Sequence, residues 1–126
     1  MIGKPFEPLY KEEITHSQLV RYAGASGDFN PIHTVVPVAE EAGLGGVIAH
    51  GMMIMGFVGQ AIHTWFHADD LLKFSVRFRG MTRPGEKIIV KGSVVAEKED
   101  RWLCEAEAVN EGGEVKVSAQ FEVRKG

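Results

Sequence analysis

Apolar and polar residues alternate in four segments of the second half of the chain, at 74–79, 87–97, 101–108 and 115–124. A period of two is typical of strands with one buried face and one solvent-facing face. The turn-rich sequences RPGE, EKEDR and NEGGE separate the segments. Because connections this short join antiparallel neighbours, the pattern predicts an antiparallel sheet of at least four strands with one apolar face.

The first part of the chain has helical patterns instead. Thr15 and Gln18 form a capping-box pair, which predicts a short helix that ends at Gly24 and Gly27. A second short helix is predicted over residues 37–42, where the sequence GLGG follows and stops it.

A longer helix is predicted over residues 51–66, with apolar side chains on most of its faces. A helix of this kind must be enclosed by other structure. Gly56, Gly59, Gln60 and His63 recur at helical spacing and form a line along which another backbone or a ligand can approach closely. The simplest packing solution is a sheet that curls around this helix, which makes the fold class α+β.

Composition narrows the class of protein. The 126 residues are predicted to form one domain, 1–126, and 44% of them are hydrophobic, as in soluble globular proteins. A net charge of -3 without a run of basic residues excludes an electrostatic footprint for nucleic acid. The single cysteine, Cys104, is expected in the core and fits a reducing cytoplasm. The apolar segment 47–66 is interrupted by His50 and His63, which favours a buried helix over a membrane span.

The heptapeptide GDFNPIH, residues 27–33, concentrates reactive groups in one short loop. Pro31 fixes its own φ and biases Asn30 toward an extended conformation, so the stretch is predicted to be a rigid turn rather than helix. Asp28 and His33 are then held near each other, and an acid and an imidazole so placed can position a water and remove its proton. The loop alone favours an ordinary turn, in which Asp28 and Asn30 are turn residues and His33 is structural, because Asx-type turns are common.

The sequence AHGM begins the long helix. The amides of Gly51 and Met52 are therefore among its unpaired first-turn donors, which can stabilise a developing oxyanion. A glycine here also simply helps the chain turn into a helix, and on Gly51 alone that structural interpretation is favoured.

Residues 22–52, YAGASGDFNPIHTVVPVAEEAGLGGVIAHGM, resemble the hydratase-2 motif of MaoC-like dehydratases, the (R)-specific enoyl-CoA hydratases. The later VRFRGMTRPGEK resembles the strand and turn after the family's central helix. The resemblance covers nearly the whole chain and implies the hot-dog fold, in which a curled antiparallel sheet wraps a long central helix. It also implies reversible addition of water to a trans-2-enoyl thioester to give the (R)-3-hydroxyacyl product.

The resemblance implies roles for individual residues. Asp28 and His33 would be the catalytic pair, with Asp28 as base on a water that His33 also holds, and Gly51 would supply an oxyanion-hole amide. Asn30 is expected to shape the loop by side-chain hydrogen bonds at the edge of the substrate site. Met52 belongs to a methionine-rich stretch that either fills the core or lines an adaptable acyl tunnel.

The chain departs from the family pattern at two places. Gly59 stands where some members carry a helix serine near the catalytic pair, which leaves more room for substrate or weakens orientation of the pair. Residues 34–36, TVV, replace an acidic position, where Thr34 is a candidate helix cap.

No metal and no cofactor are expected. His63 and His67 share a helix face at ligand spacing, but the sequence offers no third ligand nearby. Coenzyme A or the pantetheine of an acyl carrier protein would enter as part of the thioester substrate.

A partner subunit is expected, because a single unit of this fold exposes a sheet edge that pairing can cover. The resemblance implies a homodimer, and a hetero-oligomer with a second hot-dog subunit of fatty-acid synthesis stays open. Two other functions also stay open, a hot-dog acyl thioesterase and a non-catalytic acyl-binding subunit, although the intact Asp28, His33 and Gly51 argue against the latter. Neither nucleic acid nor membrane is an expected partner.

Overall fold

A computed structural model describes residues 2–125, and five antiparallel strands form its single sheet. The strands are β1 (Leu9–Tyr10), β2 (Leu71–Phe78), β3 (Ile88–Glu97), β4 (Arg101–Asn110) and β5 (Val115–Arg124). Their spatial order is β1-β3-β4-β5-β2, so β2 forms one edge and pairs with β5 alone. The four predicted strands are confirmed, and the two-residue β1 was not predicted.

The strands bury one face of the sheet, as their period of two predicted. In β4, Cys104, Ala106 and Ala108 are buried at alternate positions, and Cys104 pairs with Phe121 of β5. Burial raises the pKa of the Cys104 thiol to about 11, which makes it an inert core residue, as expected.

Three α-helices lie between β1 and β2 in the chain: α1 (His16–Ser26), α2 (Val36–Glu41) and α3 (Gly51–Trp65). The predicted capping box is present, because Thr15 accepts from the backbone of Gln18 while the Gln18 side chain accepts from Thr15. Gly27 ends α1 in the left-handed conformation with φ of 77°, where a glycine is favoured. Gly24 lies inside α1, so its prediction as an end point is wrong.

The long helix α3 packs on β3, β4 and β5 through one face only. Its buried side chains are Met53, Ile54, Val58, Ala61 and Ile62. The expectation that the whole helix is enclosed is wrong for the single chain, because Met52 on another face is 58% exposed. This uncovered face borders the site described below.

Close approach of α3 to the sheet explains one strand glycine. A Cβ on Gly92 would lie 2.6 Å from the carbonyl oxygen of Glu105 and 3.0 Å from the ring of Trp65. Only glycine therefore lets the end of α3 rest against β3.

Lys116 was expected on the polar face of its strand but is buried, with 2% of its surface exposed. The pairing of β4 and β5 shifts register between Ala108 and Val109, opposite this end of β5. A bulge places two consecutive residues, Lys116 and Val117, in the interior, which strict alternation cannot predict. Within residues 2–125, no helix has the length and apolar character needed to span a bilayer.

Candidate active site

The loop between α1 and α2 is shaped by short-range hydrogen bonds from side chains to backbone. Asp28 Oδ1 accepts from the N–H of Asn30 at 3.2 Å, and Asn30 Oδ1 accepts from the N–H of Ile32 at 3.2 Å. Asn30 thereby caps a 3-10 turn over Pro31–His33. The expectation of a turn without helix is therefore wrong for residues 31–33. Proline fits the first position of a helical turn because the N–H it lacks would have no acceptor there.

His33 is buried and has a defined orientation. Its Nδ1 lies 2.8 Å from the carbonyl oxygen of Ile48, so Nδ1 carries the proton and donates it. In the neutral imidazole Nε2 then carries the lone pair, and it lies 3.9 Å from Oδ2 of Asp28. The sequence prediction that the loop holds these two side chains together agrees with this placement.

His50 occupies the N-cap position of α3 and lies against both residues of the pair. Its Nε2 lies 3.0 Å from the backbone oxygen of Asp28, as expected for an imidazole bonded to backbone. Its ring stacks on the ring of His33 with centroids 3.8 Å apart and planes inclined by 23°. Tyr22 of α1 lies on His50 as well, with ring centroids 4.7 Å apart. This contact of two histidines was not predicted, because neither periodicity nor spacing encodes it.

Gly51 and Met52 follow His50 as the first two residues of α3. Their N–H groups have no acceptor within the helix, and the positive end of the helix dipole lies there. A Cβ on Gly51 would lie 3.1 Å and 3.2 Å from two ring atoms of Phe78. A side chain at this position would need the Phe78 ring to give way by a few tenths of an ångström, so β2 favours glycine here for reasons of space and not of φ, which lies outside the positive range.

The remaining predicted site residues differ in their surroundings. Met52 is exposed, and it therefore does not fill the core of the single chain. A Cβ on Gly59 would meet no atom within 4 Å, so a side chain fits there. Thr34 does not cap α2, whose N-cap is Val35 without a side-chain bond; the carbonyl of Thr34 instead lies 2.7 Å from Nε2 of His16.

Three side chains of the site offer metal-ligating atoms within 4.8 Å of one another, those of Asp28, His33 and His50. The two imidazole planes are nearly parallel, however, and a metal ion must lie close to the plane of each imidazole that binds it. The stacked rings therefore do not converge on one ion. In the described part of the chain, His63 and His67 belong to no group of three such ligands.

A cleft of about 660 Å³ lies between α1, the β1 segment and α3. Tyr22, Met53, Gly56 and Phe57 contribute to its walls, and Lys11 crosses it to reach the Gln60 side chain at 2.8 Å. The Tyr22 ring separates this cleft from the stacked histidines. The side chain of Asp28 is 55% exposed, so solvent reaches the carboxylate of the pair directly.

A buried ion cluster supports the backbone that leads into α3. The ammonium of Lys116 donates to the carbonyl of Met81 at 2.6 Å and lies 2.9 Å from a carboxylate oxygen of Glu86. The carbonyl of the next residue, Thr82, accepts from the N–H of Ala49 at 2.7 Å. The connection between β2 and β3 thus anchors the backbone directly before His50.

Charges in this cluster shift the pKa values of both partners. Burial raises the pKa of Glu86, but hydrogen bonds from Asn110, the Arg83 backbone and Lys116 outweigh it, so the net pKa is lowered. Burial lowers the pKa of Lys116, but Glu114 and Glu86 outweigh it, so the net pKa is raised. Both groups are therefore held in their charged forms.

A curled antiparallel sheet around a central helix, with an acid and a histidine on the loop between α1 and α2, defines a hot-dog domain of the hydratase type. The family model described as MaoC like domain matches residues 1–117, and the chain belongs to that family.

Relatives and solved structures agree with this assignment. Fatty acid synthase beta subunit hexB of Dothistroma septosporum is 32% identical over 110 residues, which are 83% of this chain and 6% of that protein. 3-Hydroxyacyl-thioester dehydratase X of Mycobacterium tuberculosis is 38% identical over 89 residues, 71% of this chain and 30% of that protein. The chain thus spans less than a third of either relative. The unliganded R-hydratase PhaJ1 from Pseudomonas aeruginosa has the same fold, with a TM-score of 0.86, 24% identity, and coverage of 98% of this chain and 81% of that one.

Proposed function

We propose that the protein catalyses reversible hydration of trans-2-enoyl thioesters to (R)-3-hydroxyacyl thioesters. The observation that carries the proposal is the 3.9 Å gap between Oδ2 of Asp28 and the unprotonated Nε2 of His33. The gap is too long for a direct hydrogen bond and suits a water that donates one proton to each atom. Family membership and the relatives named above, one of them a 3-hydroxyacyl-thioester dehydratase, support the same chemistry.

In the hydration direction, Asp28 removes a proton from this water while His33 holds it. The water oxygen forms a bond to C3 of the enoyl group, and the electron pair of the double bond moves toward the thioester oxygen. The proton that Asp28 took up is then delivered to C2, so one water is consumed and both the Asp28 carboxylate and His33 return to their starting forms. Because free water has a pKa of about 15.7, proton removal must accompany attack.

Charge on the thioester oxygen requires donors at the other end of the conjugated system. The N–H groups of Gly51 and Met52 are the proposed donors, since the helix leaves them unpaired. One donor of this kind is worth about 2.7–4 kcal/mol of transition-state stabilisation. His50 connects the two halves of the site, because it precedes Gly51 in the chain and contacts both Asp28 and His33.

Loss of enoyl absorbance from crotonyl-CoA tests the proposal directly. Asp28→Asn and His33→Gln are each expected to lower turnover by a factor of about 100 or more, since each removes one partner of the proton transfer. The exposed pair His67–Asp69, whose side chains approach to 3.7 Å, provides matched control variants, His67→Gln and Asp69→Asn, that leave turnover unchanged. Undiminished hydration in either site variant would overturn the assignment. Release of free thiol instead of hydration would indicate a thioesterase.

The same assay with crotonyl groups on coenzyme A and on an acyl carrier protein compares the two carriers. The proposed substrate in either case is the thioester itself, with no resident cofactor or metal. The cytoplasm is the proposed compartment, which is supported by the single buried thiol of Cys104.

A second copy of the chain is the proposed partner. Large apolar side chains are exposed around the site, namely Phe29, Met52, Phe78 and Met81 at 69%, 58%, 50% and 48%. Phe78 ends the edge strand β2 and Met81 follows it, so pairing of two β2 edges would cover both apolar surface and the unpaired strand. Light scattering is expected to give the mass of a dimer. A monomer at micromolar concentration would contradict this, and a monomer that gains activity only with a second hot-dog subunit would favour the hetero-oligomer.

A further inference from the structure

One buried imidazole touches both proposed catalytic residues from a single position. His50 is 2% exposed, donates from Nε2 to the backbone oxygen of Asp28 at 3.0 Å, and stacks on the ring of His33 at 3.8 Å. The ring of Tyr22 also lies against His50, with centroids 4.7 Å apart and planes inclined by 58°. The site therefore has a rigid wall behind the pair, built from the residue that also starts α3.

The hydrogen bonds fix the tautomer of this histidine. A backbone carbonyl only accepts, so Nε2 carries the proton and Nδ1 carries the lone pair. No protein group in residues 2–125 pairs with Nδ1, although the atom is buried. A buried acceptor that the protein leaves unpaired costs folding stability, and such costs concentrate at functional sites.

We propose that His50 is a positioning residue for the proposed hydration, retained against this cost in stability. The Nε2–H holds the peptide of Asp28 and thereby aims its carboxylate, while the ring plane limits rotation of the His33 imidazole. Histidine combines the donor and the flat ring in one side chain, whereas glutamine supplies only the donor and phenylalanine only the ring. The effect of His50 on the rate rests on the proposed function, whereas its effect on the His33 ring rests on geometry alone.

Three variants separate these contributions. His50→Phe is expected to lower kcat about 100-fold, as small displacements of reacting groups do, with little change in KM. Its Tm should stay close to that of the native protein, because removal of the unpaired Nδ1 offsets loss of the Nε2 bond to Asp28 and the ring contacts remain. His50→Gln keeps the donor and should lose about 10-fold in kcat. His63→Phe, the same change at an exposed position of α3, is the control and should leave kcat and Tm unchanged.

A second measurement is independent of activity and of how well phenylalanine fits. Long-range proton–nitrogen spectra of protein labelled with nitrogen-15 histidine are expected to give the Nε2–H tautomer for His50 and the Nδ1–H tautomer for His33. The ring signals of His33 should move in His50→Phe and in His50→Gln but not in His63→Phe.

The outcomes are distinguishable. Failure of the native protein to hydrate any enoyl thioester would defeat the proposed function, and the His33 signals would then decide the positioning role by themselves. Native hydration together with undiminished kcat in His50→Phe would overturn the positioning role alone. If kcat and Tm fall in parallel across the variants, His50 only stabilises the fold, and the positioning role is overturned.

Discussion

The Nδ1 atom of His33 lies 2.8 Å from the carbonyl oxygen of Ile48, and the N–H of Ile48 bonds in turn to the carbonyl of Ile32 at 3.2 Å. The reactive loop and the backbone entering α3 are therefore joined by reciprocal bonds. This junction determines which nitrogen of the imidazole is protonated, and it turns the lone pair of Nε2 toward Asp28.

His33→Asn separates this anchoring role from the chemistry. An asparagine amide nitrogen occupies roughly the position of Nδ1 and can still donate to Ile48, but nothing replaces Nε2. We expect turnover to fall about 100-fold while the free energy of unfolding stays near the native value. His33→Ala leaves the carbonyl of Ile48 unpaired and should cost a further 1–3 kcal/mol or so in urea unfolding. Equal stabilities of the two variants would contradict the anchoring role.

Gly51 and Phe78 are expected to be energetically coupled. Gly51→Ala places a methyl group 3.1 Å from the Phe78 ring, so either the ring or the start of α3 must shift. We expect roughly a 10-fold loss of kcat, consistent with displacement of oxyanion donors. Phe78→Leu gives room and should restore most of the loss in the double variant, which measures the coupling. Gly56→Ala in the same helix meets no atom within 4 Å and serves as control.

The local elements of this fold could be predicted from sequence, because capping, helix and strand signals involve near neighbours. Thr15 and Gln18 fix the start of α1, and alternation fixes β3 to β5. The proximity of Asp28 and His33 could also be predicted, since one short rigid loop carries both residues.

Long-range relationships were not accessible in the same way. The stacking of His50 on His33 depends on how the helix entry crosses the loop, and the contact of Phe78 with Gly51 depends on the placement of β2. Burial of Lys116 follows from a bulge between β4 and β5, which alternation conceals. The exposed face of α3 was missed for a different reason, because a sequence apolar on all sides does not distinguish burial by the chain from burial by a partner.

Gly59→Ser tests whether the missing serine hydroxyl is needed. A Cβ at this position meets nothing within 4 Å, so the substitution introduces no clash. Serine has a better helix propensity than glycine, which predicts a gain of about 0.5 kcal/mol in the free energy of unfolding. A profile of kcat/KM across acyl chain lengths should then narrow toward short chains if Gly59 borders the acyl group. An unchanged profile would place the acyl chain elsewhere.

Removal of the Lys116 ammonium tests the buried cluster. Lys116→Met leaves Glu86 and the carbonyl of Met81 without their partner, so we expect a loss of about 3 kcal/mol in urea unfolding. The more exposed pair Lys125–Glu97 is the matched control, and Lys125→Met should cost less than about 1 kcal/mol. A similar cost for both variants would mean that burial does not strengthen the cluster.

The free energy of unfolding should depend on pH through Glu86, the acidic partner of Lys116 in the same cluster. The pKa of Glu86 is lowered from 4.5 in the folded protein, so the unfolded state binds its proton first as the pH falls. Its stabilising contribution is therefore complete above the unfolded pKa and is lost as the pH falls through the folded pKa. Lys116 has the opposite sign: its raised pKa stabilises the fold fully below the unfolded value of 10.5, and the contribution is lost only as the pH rises through the folded pKa. Glu86→Gln should flatten the fall in unfolding free energy as the pH drops below the unfolded pKa of 4.5, whereas an unchanged slope would assign acid sensitivity to other carboxylates.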